Sequence, residues 1–285
     1  MPALVEFRTV PELFTNLVAH FRGSDKAALT FKDRQSKEWI DITWDALHER
    51  VLDLACYLYE MGIRKGDRVA ILSENRPEWA MVDLATQMLG GVNVSLYTSL
   101  PASQVEYIVR DSGSRILFVS TSIQLRKAED VFDACPELTE VITMSELRAE
   151  HLAQVRQWDA VLAEGARLRS RHTDAVEKLA SDVRADDLSA LIYTSGTTGE
   201  PKGVMLTHHN FASNVLSALG VVPFGPEDHH LSFLPLCHSF ERTGGYLAVL
   251  SCGARITYAE SIDTVSRNLL EVRPTVMISV PVLFE

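Results

Sequence analysis

One stretch of the chain combines residue types suited to holding phosphate: Tyr193, Thr194, Ser195, Gly196, Thr197, Thr198, Gly199, Glu200, Pro201, Lys202 and Gly203. Gly196 and Gly199 permit positive φ and close backbone approach, Thr194, Ser195, Thr197 and Thr198 supply hydroxyl donors, and Lys202 adds a mobile positive charge. A turn of this kind at the carboxyl end of a buried strand converges its amide N–H groups into an anion-binding nest, and open α/β sheets place ligands at that edge. The spacing is not G-x-x-x-x-G-K-[ST], because Pro201 stands five residues after Gly196 and Gly203 follows Lys202, so the expected phosphate loop is of another type. The bland alternative is a glycine-rich surface turn without a ligand. The strand before it, the density of hydroxyls and the lysine weigh against that.

The elements needed to position such a loop are legible around it. Residues 188–193 form a buried apolar run, and Phe211, Val215 and Leu219 make the inward stripe of a helix that follows the loop. Upstream, Trp44, Leu47, Val51, Leu54, Leu58 and Met61 keep helical spacing between Thr43 as N-cap and Gly62 as terminator. Strands are expected near 69–72, 92–95, 115–119 and 140–143, alternating with helices opened at Pro77 and centred on 102–111 and 124–135. After the loop the pattern predicts a strand at 231–234, a helix over about 240–250, a strand at 255–258, a helix carrying Ile262, Val265, Leu269 and Val272, and a strand at 275–280. This alternation predicts an α/β fold: mostly parallel sheets, helices on both faces, βαβ repeats. Residues 145–187, rich in Arg, Glu, Ala and Asp, read as surface helices and a connector. They separate an expected first subdomain, 1–187, from a second, 188–285, that carries the loop. Glu285 falls in what reads as the first turn of another helix, opened by Pro281, so the second subdomain is expected to be truncated.

Composition narrows the classes. The 285 residues are 46% hydrophobic and 23% charged, within the globular range, and 27 basic against 38 acidic residues give a net charge of −11 that repels nucleic acid and anionic lipid. Cys56, Cys135, Cys237 and Cys252 form no C-x-x-C pair, which points to a reducing, cytoplasmic setting. No signal-peptide core or membrane-spanning run is seen. The doublets His208–His209 and His229–His230 lack metal-ligand spacing, Leu52 breaks a H-E-x-x-H reading at His48, and G-x-S-x-G is absent. Cys237 beside His238 is a poor thiol nucleophile, since neighbouring side chains point apart.

Residues 191–211, LIYTSGTTGEPKGVMLTHHNF, resemble the signature of the adenylate-forming superfamily of acyl-CoA synthetases, luciferases and peptide-synthetase adenylation domains. LPLCHSFER at 234–242, with Thr243 and Gly244, and YTSLPASQVEYIVRDSG at 97–113 are similar to the long-chain fatty acid–CoA ligase branch. The resemblance covers nearly the whole chain and implies the N-terminal portion of such an enzyme, with an incomplete large N-terminal domain of the acyl-CoA synthetase/luciferase-like fold and without the C-terminal domain.

The reaction so implied joins a fatty acid carboxylate to the α-phosphate of ATP, expels pyrophosphate, and passes the acyl group to coenzyme A. A carboxylate is already nucleophilic at neutral pH, so the first step calls for positioning and for cations on the leaving group rather than an activated serine. By the resemblance, Thr194, Ser195, Gly196, Thr197, Thr198 and Gly199 wrap the β and γ phosphates, Lys202 supplies charge, Thr194 is a candidate Mg2+ ligand, and His238 gates between the half-reactions. Glu241 and Arg242 are read as a solvated pair with no catalytic role. The isolated chain is expected to make little acyl-CoA. The reading leaves open a homodimer of the intact protein and peripheral contact with a membrane. Two rivals stand beside it: a non-catalytic ATP- or acyl-binding module completed by a partner chain, and a phosphotransferase with an unusual loop.

Overall fold

The computed structural model describes residues 3–147, 149, 152–194, 200–222 and 224–281. Two compact units emerge, one of residues 1–48, 75–77 and 209–285, the other of 49–74 and 78–208.

The first unit opens with α1 (Val10–Phe21), capped by the Thr9 hydroxyl on the Glu12 amide, with Leu13, Phe14, Leu17 and Val18 on its buried face. Its sheet joins β1 (Ala27–Lys32), β2 (Trp39–Thr43), β10 (His229–Ser232) and β11 (Arg255–Tyr258) in the order β10-β11-β1-β2. β11 is parallel to both neighbours, and β1–β2 is an antiparallel hairpin. α7 (His208–Val221), a π-helical segment Glu241–Ala248 that runs into α8 (Val249–Ser251), a 3-10 turn (Ile262–Thr264) and α9 (Val265–Val272) complete it. Gly253 adopts φ +68°, and a side chain there would meet Phe21 of α1 at 2.7 Å, which ties α1 to the turn before β11.

The second unit is built on a seven-stranded sheet of β3 (Arg68–Leu72), β4 (Val92–Leu96), β5 (Ser114–Val119), β6 (Glu140–Thr143), β7 (Val155–Gln157), β8 (Leu188–Thr194) and β9 (Lys202–Thr207), ordered β7-β6-β5-β3-β4-β8-β9. Every pairing is parallel except β8–β9. α2 (Trp44–Glu60) enters this unit from the first at residue 49; α3 (Pro77–Met88), α4 (Ala102–Ser112), α5 (Ser122–Val131) and α6 (Trp158–Asp182) follow. Ala70, Leu72, Val94, Leu117, Val119 and Val141 of the sheet pack with Val105, Ile108, Val109, Leu125 and Ala128 of α4 and α5 in one buried cluster. The α/β class and the mostly parallel sheets are as the sequence predicts.

Several expectations differ in detail. The break anticipated at 187/188 runs through one sheet: β8 pairs in parallel with β4, while the hairpin before residue 44 pairs with β11. Residues 155–182 are not a connector, since β7 extends the sheet and α6 lies against α2, where Gly165 faces the Asp53 backbone. β10 ends at Ser232 because Asn75 takes over the polar groups beyond it, its amide nitrogen reaching Leu234 O at 2.7 Å and its oxygen the Leu236 amide at 3.0 Å. The strand expected at 275–280 is a single parallel bridge, His230 with Val276.

Burial and the neighbouring Arg255 guanidinium push the imidazole of His229 down to about 4. Arg255 Nη2 donates to its Nδ1 at 2.8 Å, which requires the neutral ring. Between that value and an ordinary histidine near pH 6.5 the unfolded chain takes a proton that the native one refuses, so stability is complete above about pH 6.5 and falls as pH drops toward 4. The loss amounts to at most about 3 kcal/mol. Urea midpoints measured at pH 7 and pH 4.5 should show it, and His229→Gln should flatten that limb; an equally steep limb in the variant rules the assignment out.

Candidate functional site

β8 and β9 form an antiparallel hairpin on either side of residues 195–199. β8 and β9 pair from Leu188–Thr207 to Thr194–Lys202, so the two residues flanking the loop face each other across the ladder at the carboxyl end of β8, beside the parallel strand β4. Thr194 and Lys202 are both exposed there. Ser195, Gly196, Thr197, Thr198 and Gly199 lie outside the described residues. The sequence reading places the loop directly before a helix, whereas an antiparallel strand intervenes and α7 begins only at His208. No helix N-terminus follows residue 202 directly, since β9 lies between it and α7.

The base of this hairpin is held by buried polar contacts. Ser189 donates to Gln87 Oε1 at 3.1 Å and its carbonyl accepts from Gln87 Nε2 at 2.9 Å, fastening β8 to α3. Asp187, just before β8, pairs with Lys65 at 2.5 Å, and its carbonyl accepts the His208 amide at 3.1 Å. Burial opposes the charge on Asp187, but Lys65 and the Arg184 amide outweigh it and hold the carboxyl below the usual carboxylate range. At the loop end, Tyr193 is buried and donates its hydroxyl to Asp111 Oδ2 at 2.5 Å. Burial, then that carboxylate, raises the phenol's pKa, so it remains a donor. Its ring crosses the opposing Gly203, where an added Cβ would stand 3.0 Å from Tyr193 Cζ. Gly203 is therefore required by close approach of the ring rather than by backbone conformation. Asp111 lies in the last turn of α4, within the 97–113 segment singled out from sequence, so that segment braces the strand leading into the loop.

His238 belongs to the first unit, Thr194 and Lys202 to the second. The His238 side chain is exposed, its Nδ1 accepts the Phe240 amide at 3.1 Å, and its carbonyl accepts the Arg242 amide at 3.0 Å. The reading of Glu241 and Arg242 as a solvated pair is overturned: they are 0% and 1% exposed. Glu241 Oε1 accepts the Ser232 hydroxyl at 2.6 Å and lies 3.3 Å from His230 Nε2. The Arg242 guanidinium sits 5.2 Å from the Phe211 ring centroid. A charged pair beginning a helix looks solvated in a linear sequence; the signal that could have found it is the glycine four residues on, Gly245, against which the carboxylate folds. Cys237 is buried, and burial pushes its thiol up to about 12, so it stays protonated. Among the described residues no group of three or more His, Cys, Asp or Glu is placed to hold a metal ion, and no helix is long and apolar enough to cross a membrane.

Residues 18–285 match the family described as AMP-binding enzyme. The chain is 31% identical over 249 residues to the long-chain-fatty-acid–CoA ligase FadD15 of Mycobacterium tuberculosis, covering 87% of this chain and 40% of the relative. It is 30% identical over 284 residues to the human long-chain-fatty-acid–CoA ligase ACSBG2, covering 97% of this chain and 41% of the relative. The crystal structure of the N-terminal domain of FACL13 from Mycobacterium tuberculosis superposes with a TM-score of 0.73 at 23% identity, over 97% of this chain and 64% of that one, a likeness of fold. The chain thus spans about two-fifths of the length of these curated relatives.

Proposed function

Because the chain belongs to the AMP-binding enzyme family, we propose that the hairpin tip from Thr194 to Lys202 holds the β and γ phosphates of ATP in a fatty acid–CoA ligase. The observation that carries this is the register of Thr194 opposite Lys202, which brings a hydroxyl and an ammonium to the mouth of a glycine- and threonine-rich loop at the carboxyl edge of a parallel sheet. In this reading Ser195, Gly196, Thr197, Thr198 and Gly199 line the phosphates and Lys202 offsets charge on the departing pyrophosphate. Thr194 offers Mg2+ one neutral oxygen, which fits a cation that keeps several waters and takes its remaining ligands from phosphate. When bound, Mg2+ would neutralise phosphate charge. His238 contacts the acyl carboxylate and stands at the passage to coenzyme A. The long-chain acyl substrate is supported by the names of the relatives.

The alternative reading is an ATP-binding module without catalysis of its own. One set of assays separates them. ATP should bind the purified chain and be displaced by pyrophosphate. Fatty-acid-dependent exchange of labelled pyrophosphate into ATP should appear when the chain is carried in a polypeptide of its relatives' length. ATP binding without exchange in that longer form selects the module, transfer of labelled γ-phosphate selects a phosphotransferase, and absence of ATP–pyrophosphate competition rejects the loop assignment.

A further inference from the structure

We infer that Glu241 is a positioning residue whose buried carboxylate holds the His238 turn so that the ring accepts through Nδ1 and presents its Nε2–H to the substrate. The inference rests on the reading of His238 as a substrate-contacting group.

The ring's hydrogen is assigned by its neighbour. A backbone amide can only donate, so the Phe240 N–H placed 3.1 Å from His238 Nδ1 needs a lone pair there, and the hydrogen of the neutral ring resides on Nε2. A ring protonated on both nitrogens would lose this bond. The exposed side chain therefore offers a donor, suited to a carboxylate or phosphoryl oxygen, and is the wrong tautomer to take a proton through Nε2.

That arrangement needs the backbone from 235 to 242 held still, and two polar side chains on opposite sides of His238 do so. Before it, Asn75 grips Leu234 O and the Leu236 amide and donates to the Ser232 hydroxyl at 3.0 Å. Ser232 passes that contact on, donating to Glu241 Oε1 at 2.6 Å. After it, Glu241 opens the π-helical segment whose next residue, Arg242, donates its amide to the His238 carbonyl. Asn75, Ser232 and Glu241 thus form one hydrogen-bonded chain that spans the His238 turn and anchors it to β10. An added Cβ at Gly245 would lie 2.4 Å from the Glu241 carboxyl atoms, so the carboxylate reaches Ser232 only because position 245 has no side chain. Among the described residues its Oε2 is buried without a hydrogen-bond partner. A carboxylate kept in that state is costly to the fold, which is what a group retained for positioning looks like. π-helical turns are likewise over-represented at functional sites.

The test is nitrogen-15 NMR of the histidine-labelled 285-residue chain, with the His238 signals identified by their loss in His238→Gln. The expected result is a single Nε2–H tautomer in the native chain. Glu241→Ala and Gly245→Ala, which reach the same contact from opposite sides, should each give averaged tautomers, and Glu241→Gln, able to keep the Ser232 contact, should largely restore the lock. Should Glu241→Ala fail to fold, Gly245→Ala carries the comparison. An Nδ1–H ring, or an unchanged tautomer in both folded variants, overturns the inference. A sulfamoyl analogue of a fatty acyl-adenylate should shift the Nε2 signal and bind His238→Asn about tenfold more weakly than His238→Gln. Binding with no change at Nε2 also overturns the inference. Failure of the analogue and of ATP to bind at all counts against the proposed function, while the tautomer measurements still decide the role of Glu241.

Discussion

Gly165→Ala is expected to destabilise the second unit by about 3 kcal/mol, although the same change in an open helix stabilises by about 1 kcal/mol. An alanine Cβ at this position would stand 2.0 Å from the Asp53 carbonyl oxygen and 2.6 Å from its carbon, and neither atom can move without shifting α2. The crossing is fastened on both sides of that contact. Arg169 Nη2 meets Asp53 Oδ2 at 2.8 Å and Glu49 at 3.1 Å, and His172 Nε2 lies 2.5 Å from Glu60, whose carboxyl is held low chiefly by that contact. Forcing the helices apart strains these pairs and forfeits packing at Val161 and Val176, both fully buried. Gly220→Ala is the control, because among the described residues nothing lies within 4 Å of a Cβ built there. It should leave stability unchanged or raise it by up to about 1 kcal/mol. Urea unfolding with an unchanged slope and a lower midpoint for Gly165→Ala alone is the expected pattern. Equal midpoints for the two variants would mean that α6 and α2 do not approach as described.

Lys202→Ala should weaken ATP binding about 10- to 100-fold, the usual worth of one charge-assisted hydrogen bond. The side chain is exposed at the first position of β9, opposite Thr194, so its removal takes away a charge at the loop mouth and no buried packing. The thermal midpoint should therefore stay where it is while affinity drops, and Lys202→Arg should recover only part of the loss, since a planar guanidinium does not replace a compact ammonium. Isothermal titration with ATP at fixed salt reads both variants. An affinity within twofold of the parent for Lys202→Ala would remove Lys202 from the phosphate site and with it the main support for the hairpin tip as that site.

Local signals account for most of what could be read in advance. α2, α3 and α4 announce themselves through helical spacing of apolar residues, and the first two also through Thr43 and Pro77 at their starts. β3, β4, β5 and β6 are short apolar runs between them. The run proposed to hold phosphate stands out for the same reason, being one contiguous stretch of residues whose chemistry does not depend on a distant partner. β9 escaped because KGVMLT lies at a sheet edge, half open to solvent, and lacks a clean alternation. The buried state of Glu241 escaped because a carboxylate is expected outside unless its partners are known.

What the sequence by itself determined is therefore the class of fold and the alternation of helices and strands from α2 to β6, and it singled out the stretch proposed to hold phosphate, all products of side-chain periodicity and backbone permissiveness over a few residues. Only the tertiary structure decided that the chain's first strands share a sheet with Arg255–Tyr258, that Tyr193 leans on Asp111, and that Glu241 turns inward to Ser232 against a bare Gly245. Those outcomes depend on contacts between residues far apart along the chain or on opposite sides of a turn. Their free energy comes from burial and hydrogen bonding that exist only once the layers have packed.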